Sequence, residues 1–245
     1  MIILWPIGGK GVRFKKNDYL KPKPFIDIKN KPMIEYALSS ISFDAKHYVI
    51  CNTLDKIFID KIYEIGNTYK IDIELVEINQ ETRGQAETSF IGLNEIEFNQ
   101  DEELIISNCD QYTPWSKDSF LELVSRKDVD AAVTTYNHGD FDIGKSSPYS
   151  HVELNEKGFA VKFAEKYAIS EHSLNGIYYW KKIKYFTDSF QDLDKSDFNG
   201  EYWLSLTFNY MIENGLKIKT FQMDKDEFYS LGTPEDIQKN IEMLN

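Results

Sequence analysis

The sequence predicts a three-layer α/β fold with a largely parallel sheet. Three observations carry this expectation. Short apolar runs rich in Ile and Val recur along the chain, as strands covered on both faces require. Between them lie stretches whose apolar residues fall at helical spacing. The two kinds alternate, the signature of helices packed on both faces of one sheet. At 245 residues the chain suits one large α/β domain, and it shows no internal repeat, low-complexity segment or linker.

The elements follow in order. "IILWPI" gives a buried first strand. Further strands are expected at 47–51, 73–78, 103–107, 130–136 and 218–223. A helix is expected at 32–41, with Pro32 at its first position. Others fit 56–69 and 119–127, and a helical stripe over 201–215 stops at Gly215. A last helix opens with Thr233 as its cap, followed by Pro234. The stretch 138–200 breaks the rhythm. Within it, "YSHVELNEKGFAVKFAEK" predicts a hairpin turning at Asn155–Gly158, an insertion suited to a second substrate.

Composition narrows the function. The formal net charge is −12, which argues against non-specific binding of nucleic acid or an anionic membrane. The stretch 10–31 nevertheless carries a net charge of +6, which suits a small polyanion. The two cysteines, Cys51 and Cys109, show no zinc spacing and are expected as free thiols in a reducing compartment. The opening seven residues lack a basic leader and a cleavage site, and no apolar run approaches a bilayer's span. These features point to the cytoplasm.

Ligands of open α/β sheets bind at the carboxyl ends of the strands. The loop after the first strand reads Gly8-Gly9-Lys10-Gly11-Val12-Arg13. A P-loop needs Gly-Lys followed by Ser or Thr, which is missing here. A dinucleotide fingerprint needs a third glycine where Phe14 stands. What remains is a loop whose N–H groups face a triphosphate, with Arg13 as a fixed cation. Downstream, Lys23 stands between Pro22 and Pro24, which predicts extended geometry and a lysine aimed at a phosphate. The strand at 103–107 leads into Asn108-Cys109-Asp110-Gln111.

The combination resembles the nucleoside-triphosphate transferases, which include the sugar-1-phosphate nucleotidyltransferases and related cytidylyltransferases. It consists of GGxGxR, Pro-Lys-x-Phe about ten residues later, and Lys-Pro-Met-Ile opening a helix. The resemblance continues through "QETRGQAETS", "LIISNCDQY", "FAEKYAI", "SLNGIYYW", "NGEYWLSLTFNYMIENG" and "YSLGTPEDI". It implies a Rossmann-like nucleotidyltransferase fold with a mixed, mostly parallel central sheet and a hairpin-containing acceptor insertion. Residues 1–137 would mainly bind nucleotide, 138–200 mainly the acceptor, and 201–245 would close the domain.

The resemblance also implies roles. Arg13, Lys23 and Asp110 would be catalytic, with Asp110 also holding Mg²⁺. Ile7, Gly8, Gly9, Lys10, Gly11, Gln80, Gly84 and Gln85 would bind the nucleotide. Glu165, Lys166, Asn175, Gly176 and Glu201 would bind a small phosphorylated acceptor. The reaction implied is transfer of NMP from an NTP to that acceptor with release of pyrophosphate. Alignment and charge neutralisation would do most of the catalysis. Ser230 departs from the pattern, since the family often places a second metal-binding aspartate there. Asp224 and Asp226 are nearby acids that could substitute. "NCDQYTPW", "LGTPED" and "GIYYW" look most like a capsule-associated cytidylyltransferase subgroup, which implies CTP as donor and phosphoglutamine as acceptor. A homo-oligomer is compatible with the resemblance.

Blander readings accompany these. Asp110 fits a helix N-cap, Lys166 a solvated hairpin charge, and Glu201 the positive end of its helix. Tyr178, Tyr179, Trp180 and Trp203 fit core or pocket wall. Two other functions stay open besides a sugar-1-phosphate thymidylyl-, uridylyl- or guanylyltransferase. Asp140-x-Asp142 fits a DxD glycosyltransferase, and Ser230 fits a non-catalytic nucleotide-binding regulator.

Overall fold

A computed structural model describes residues 1–9, 14, 19–41, 43–137, 139, 142–224 and 226–244. The candidate residues Lys10, Gly11 and Arg13, and Asp140 of the DxD pair, lie outside them.

The centre is a nine-stranded sheet. Along its main path lie β10 (Ala160–Tyr167), β9 (Ser146–Leu154), β11 (Ser173–Trp180), β6 (Leu104–Ser107), β1 (Ile2–Pro6), β4 (Lys46–Cys51) and β5 (Asp72–Glu77). Off this path, β8 (Ala131–Tyr136) pairs with β11 and with β12 (Ile218–Gln222). β10 and β11 run against the other seven, so the sheet is mixed but mostly parallel in strand direction.

Two short pairs stand apart from it, β2 (Asp27–Ile28) with β3 (Lys31–Pro32), and β7 (Gln111–Tyr112) with β13 (Tyr229–Ser230). Seven helices complete the described residues. They are α1 (Met33–Ser40), α2 (Lys56–Tyr69), α3 (Gln85–Asn94), α4 (Lys117–Ser125), α5 (Ile183–Lys195), α6 (Leu204–Glu213) and α7 (Pro234–Asn240).

Successive strand residues point to opposite faces, and the core divides accordingly. Ile2, Leu4, Leu104, Ile106, Tyr178 and Trp180 enter one cluster with Ala86 of α3, Phe186 and Phe190 of α5, and Phe208 of α6. Ile3, Trp5, Ile105, Ile177 and Tyr179 enter a second with Ile34 of α1, Ile62 of α2 and Phe120 of α4. These two clusters are the two helix–sheet interfaces of a three-layer fold. Each fully buried large side chain contributes about 1.5–3 kcal/mol. A third cluster ties Phe14, Ile26 and Met33 near the N-terminus to Leu231, Ile237 and Leu244 near the C-terminus.

The expected strands are found within a residue or two of their predicted bounds, as is the 155–158 hairpin, where Gly158 takes a φ of +68°. Several details differ. β5 is an edge strand with alternating exposure, so it is covered on one face only. Pro32 precedes α1 as its cap, because a ψ of 147° holds it extended in β3. The helix expected over 201–215 begins only at Leu204, and Glu201 lies in the extended stretch before it. Lys23 is not extended either. Lys23–Phe25 forms one 3₁₀ turn, closed by the Phe25 N–H donating to the Pro22 carbonyl at 2.8 Å. Burial of Phe25 favours this turn, and Pro24 in its first positions loses no needed donor. The insertion contributes β9, β10 and β11 to the central sheet itself, with α5 following.

Among the described residues no helix is long and apolar enough to cross a membrane. Cys51 and Cys109 are both free.

Candidate active site

β1 is flanked by β4 on one side and β6 on the other, all parallel, with Leu4 opposite both Tyr48 and Ile106. The loops leaving β1 and β6 therefore emerge side by side at the carboxyl edge, the usual ligand position in such sheets.

At the first of these, Ile7 is buried and donates its N–H to the Ile50 carbonyl at 2.8 Å. Gly8 and Gly9 follow. Among the described residues, a Cβ at Gly8 would meet nothing nearer than 3.6 Å, and one at Gly9 nothing within 4 Å. Neither has a positive φ. None of the described residues therefore demands glycine at these two positions. Asn52, just past β4, lies against Gly8. Its amide nitrogen, oriented to satisfy its hydrogen bonds, donates to the carbonyls of Ile78 (2.9 Å) and Gln80 (3.1 Å). It brings the Gly8 and Gln80 segments together, and nothing in the sequence pattern singled it out.

Gly84 and Gln85 open α3. Thr88, one turn on, approaches Gly8, and the Gln85 amide donates to Asn108 Oδ1 at 2.9 Å. Asn108 in turn lies against Gly176, whose φ is +97°. A Cβ at Gly176 would stand 2.3 Å from the Asn108 amide nitrogen, and Asn108 N–H donates to the Gly176 carbonyl at 2.9 Å. Only glycine fits there. Asn108 thus joins a nucleotide-side candidate to an acceptor-side one.

Two residues further, Asp110 Oδ2 accepts from Lys23 Nζ at 2.5 Å. The two side chains are 24% and 22% exposed, so both are reachable from solvent without being freely solvated. Lys23 also lies 5.6 Å over the ring of Phe14, which is itself buried. Asp110 precedes β7 and does not cap a helix. The neighbouring Cys109 thiol is pushed up to about 12, first by burial and then by the Asp110 carboxylate.

The closing strand lies directly against this aspartate. The Leu231 N–H donates to the Asp110 carbonyl at 2.8 Å, and a Cβ on Gly232 would stand 3.2 Å from Asp110 Oδ2. Ser230 occupies the expected place beside it, and its hydroxyl donates to Asp236 Oδ2 at 3.1 Å. The acid brought to this corner is therefore Asp236, in the first turn of α7. Asp224 instead takes part in a turn with Glu227, its N–H donating to that carboxylate at 2.9 Å.

The described residues contain no group of three or more His, Cys, Asp or Glu able to cage a metal. This donor set fits Mg²⁺, which is held by one or two carboxylates together with substrate phosphates and water. Asp110 supplies one such carboxylate.

On the acceptor side, Glu165 accepts hydrogen bonds from Ser150 (2.5 Å) and from Ser205. Burial pushes its carboxyl up to about 7, with nearby Glu201 raising it further, while Ser150 and Lys166 pull it down. Lys166 has a φ of +53°, rare for a non-glycine residue, and its Nζ lies 4.7 Å over the Trp203 ring. The residue itself is exposed, and the ring beneath it limits where its charge sits. Tyr178 stands between the two sides. Burial first, then the Glu165 and Asp110 carboxylates, push its phenol well above the ordinary range. Asn175 is not joined to this group. Its Oδ1 accepts from Thr134 and its Nδ2 donates to Met223 Sδ at 2.8 Å, so its amide is committed inside the fold. Asp142 of the DxD pair sits on an exposed turn, paired with Lys145 at 2.5 Å.

The nucleotidyl transferase family model matches residues 2–244. No curated protein matches in sequence. Solved structures do match in fold. The nucleoside-diphosphate-sugar pyrophosphorylase from Vibrio cholerae RC9 superposes with a TM-score of 0.80 at 19% identity, over 99% of this chain and 100% of that one. The inositol-1-phosphate CTP transferase from T. maritima gives 0.75 at 16%, over 99% and 94%. A UDP-glucose pyrophosphorylase complexed with UDP-glucose gives 0.74 at 16%, over 98% and 97%. With the family model matching nearly the whole chain, the protein belongs to the nucleotidyl transferase family.

Proposed function

We propose that this nucleotidyltransferase moves CMP from CTP to a phosphorylated small molecule, releasing pyrophosphate, in capsule or cell-surface polysaccharide assembly. The favoured acceptor is phosphoglutamine, the substrate of the CTP:phosphoglutamine cytidylyltransferases that the closing and Asp110 motifs resemble. The observation that carries the reaction class is the Lys23–Asp110 pair, which sets a cation and an anion side by side at the carboxyl edge of the sheet.

An acceptor phosphoryl oxygen attacks the α-phosphorus in line. One P–O bond forms as the bond to pyrophosphate breaks. Lys23 and Asp110 pair with each other. Nucleotide separates them, freeing Lys23 for the α-phosphate and acceptor oxygens. When bound at Asp110, magnesium supplies charge neutralisation at the nucleotide phosphates. Gly8 and Gly9 present backbone N–H groups to phosphate. Glycine at both positions suits that close approach, and no described residue otherwise requires it. Lys10, Gly11 and Arg13 are assigned to the leaving pyrophosphate on the resemblance alone. Gln80, Gly84 and Gln85 face the base, while Lys166 holds the acceptor phosphate beside Glu165 and Glu201.

CTP is supported by the subgroup motifs and by the T. maritima neighbour, an inositol-1-phosphate CTP transferase. The sugar-named neighbours keep a sugar-1-phosphate nucleotidyltransferase as the second reading. Incubation with CTP, UTP, dTTP or GTP, each with either phosphoglutamine or glucose 1-phosphate and with products read by mass, separates the two. A CDP-linked glutamine product supports the first. A nucleotide sugar formed at comparable or higher rate overturns it.

A further inference from the structure

The segment 201–203 crosses directly against Gly84. A Cβ at Gly84 would stand 2.6 Å from the Tyr202 carbonyl oxygen and 2.7 Å from its nitrogen. On either side of this contact the two segments are laced together. The Tyr202 N–H donates to the Arg83 carbonyl, and the Ala86 N–H donates to the Tyr202 carbonyl, both at 2.9 Å.

Arg83 closes the joint with its side chain. Its guanidinium lies 4.0 Å over the Tyr202 ring, and Nη1 donates to the Tyr202 hydroxyl at 2.9 Å. The same guanidinium reaches Glu87 of α3 and, at 2.6 Å, Asp194 of α5. Tyr202 is 3% exposed. The next residues lead to the acceptor side, where Trp203 underlies Lys166 and Ser205 donates to Glu165.

We propose that Arg83 and Tyr202 form a positioning joint through which nucleotide at Gly84–Gln85 sets Trp203, Lys166 and Glu165 for the acceptor. The inference rests on the nucleotidyltransferase reading. No side-chain atom fits between Gly84 and the Tyr202 backbone, and two backbone hydrogen bonds tie the segments, so a displacement of one is passed to the other. Arg83 is 47% exposed, and ion pairs at such positions add little to stability. Its stack and hydroxyl bond fix orientation instead. Coupling of this kind typically changes the second ligand's affinity about 5–150-fold.

The test uses the full chain with fluorine on its four tryptophans and the Trp203 resonance assigned through Trp203→Phe. CTP, UTP, dTTP, GTP and ATP are added in turn with Mg²⁺, and binding is measured in parallel by calorimetry. The joint predicts that the nucleotide that binds shifts the Trp203 resonance. In Arg83→Ala and in Tyr202→Phe, which keeps the packed ring, that shift falls by half or more while the nucleotide still binds. A purely structural role lowers stability and leaves the shift intact. Binding without a Trp203 shift, or a shift unchanged in both variants, overturns the joint alone. Absence of binding by every nucleotide overturns the nucleotidyltransferase reading, and the joint with it.

Discussion

Lys23 and Asp110, 87 residues apart in the chain, meet with Nζ 2.5 Å from Oδ2. One comes from a single 3₁₀ turn and the other from the end of β6. Phe25, buried behind the turn, and the Leu231 N–H, bound to the Asp110 carbonyl, hold the two partners from opposite sides.

Lys23→Ala is expected to lower kcat by about 10²–10³, the usual cost of removing a preorganised charge at a developing one. Stability should change by no more than about 1 kcal/mol, because the pair is partly exposed. Steady-state kinetics and thermal unfolding of the same preparation check both. Near-normal turnover would remove Lys23 from the chemistry.

Asp110→Asn should abolish the loss of free-manganese signal, read by electron paramagnetic resonance, that adding the parent protein causes beyond the loss due to CTP alone. The readout is independent of turnover. A titration unchanged from the parent would place the metal elsewhere.

Two buried groups pull stability in opposite directions with pH. His47 is fully buried, accepts from Trp5 Nε1 at 3.1 Å, and burial lowers it from 6.5 to about 4. The unfolded chain binds the proton more tightly, so stability rises with pH between about 4 and 6.5, by about 3 kcal/mol in all. Glu165 is raised from 4.5 to about 7. Here the folded state holds the proton, so its contribution is full below 4.5 and is lost as pH rises through 7. The two effects offset over most of the window. Glu165→Gln should leave only the His47 rise, and should exceed the parent at pH 8 by about 2–3 kcal/mol while matching it near pH 4. Denaturant melts across this range test it. A difference that does not vary with pH would contradict the Glu165 assignment.

Gly176→Ala combines a strained positive φ with a collision against Asn108. We expect a loss of about 2–5 kcal/mol, and a raised KM for nucleotide because Asn108 also holds Gln85. Unfolding with parallel kinetics checks this. An unchanged KM in a folded variant would show that Asn108 does not position Gln85.

Much of the fold was legible because strand period and Ile/Val content report burial directly. The Thr233 cap and the turn at Gly158 were readable because each rests on local backbone chemistry. β11 was read only as a motif, since all eight of its residues are buried and no alternation marks a strand. Lys23 and Asp110 were found through motif and spacing. Asn52, Asn108, Tyr178 and Asp236 were not assigned roles, because each gains its place only when distant strands align. Asn175 shows the converse, a motif residue whose side chain the core consumes. The sequence shows Ser230 where a carboxylate is expected, but only the packing of α7 behind β13 shows that Asp236 stands beside it.

Pyrophosphate release from CTP, UTP, dTTP, GTP or ATP, with Mg²⁺ and a panel of phosphorylated metabolites, tests the central claim most directly. The account predicts release from one nucleotide, CTP, that requires both a phosphorylated acceptor and Lys23. Nucleotide binding without acceptor-dependent release, or release that survives in Lys23→Ala, would contradict it.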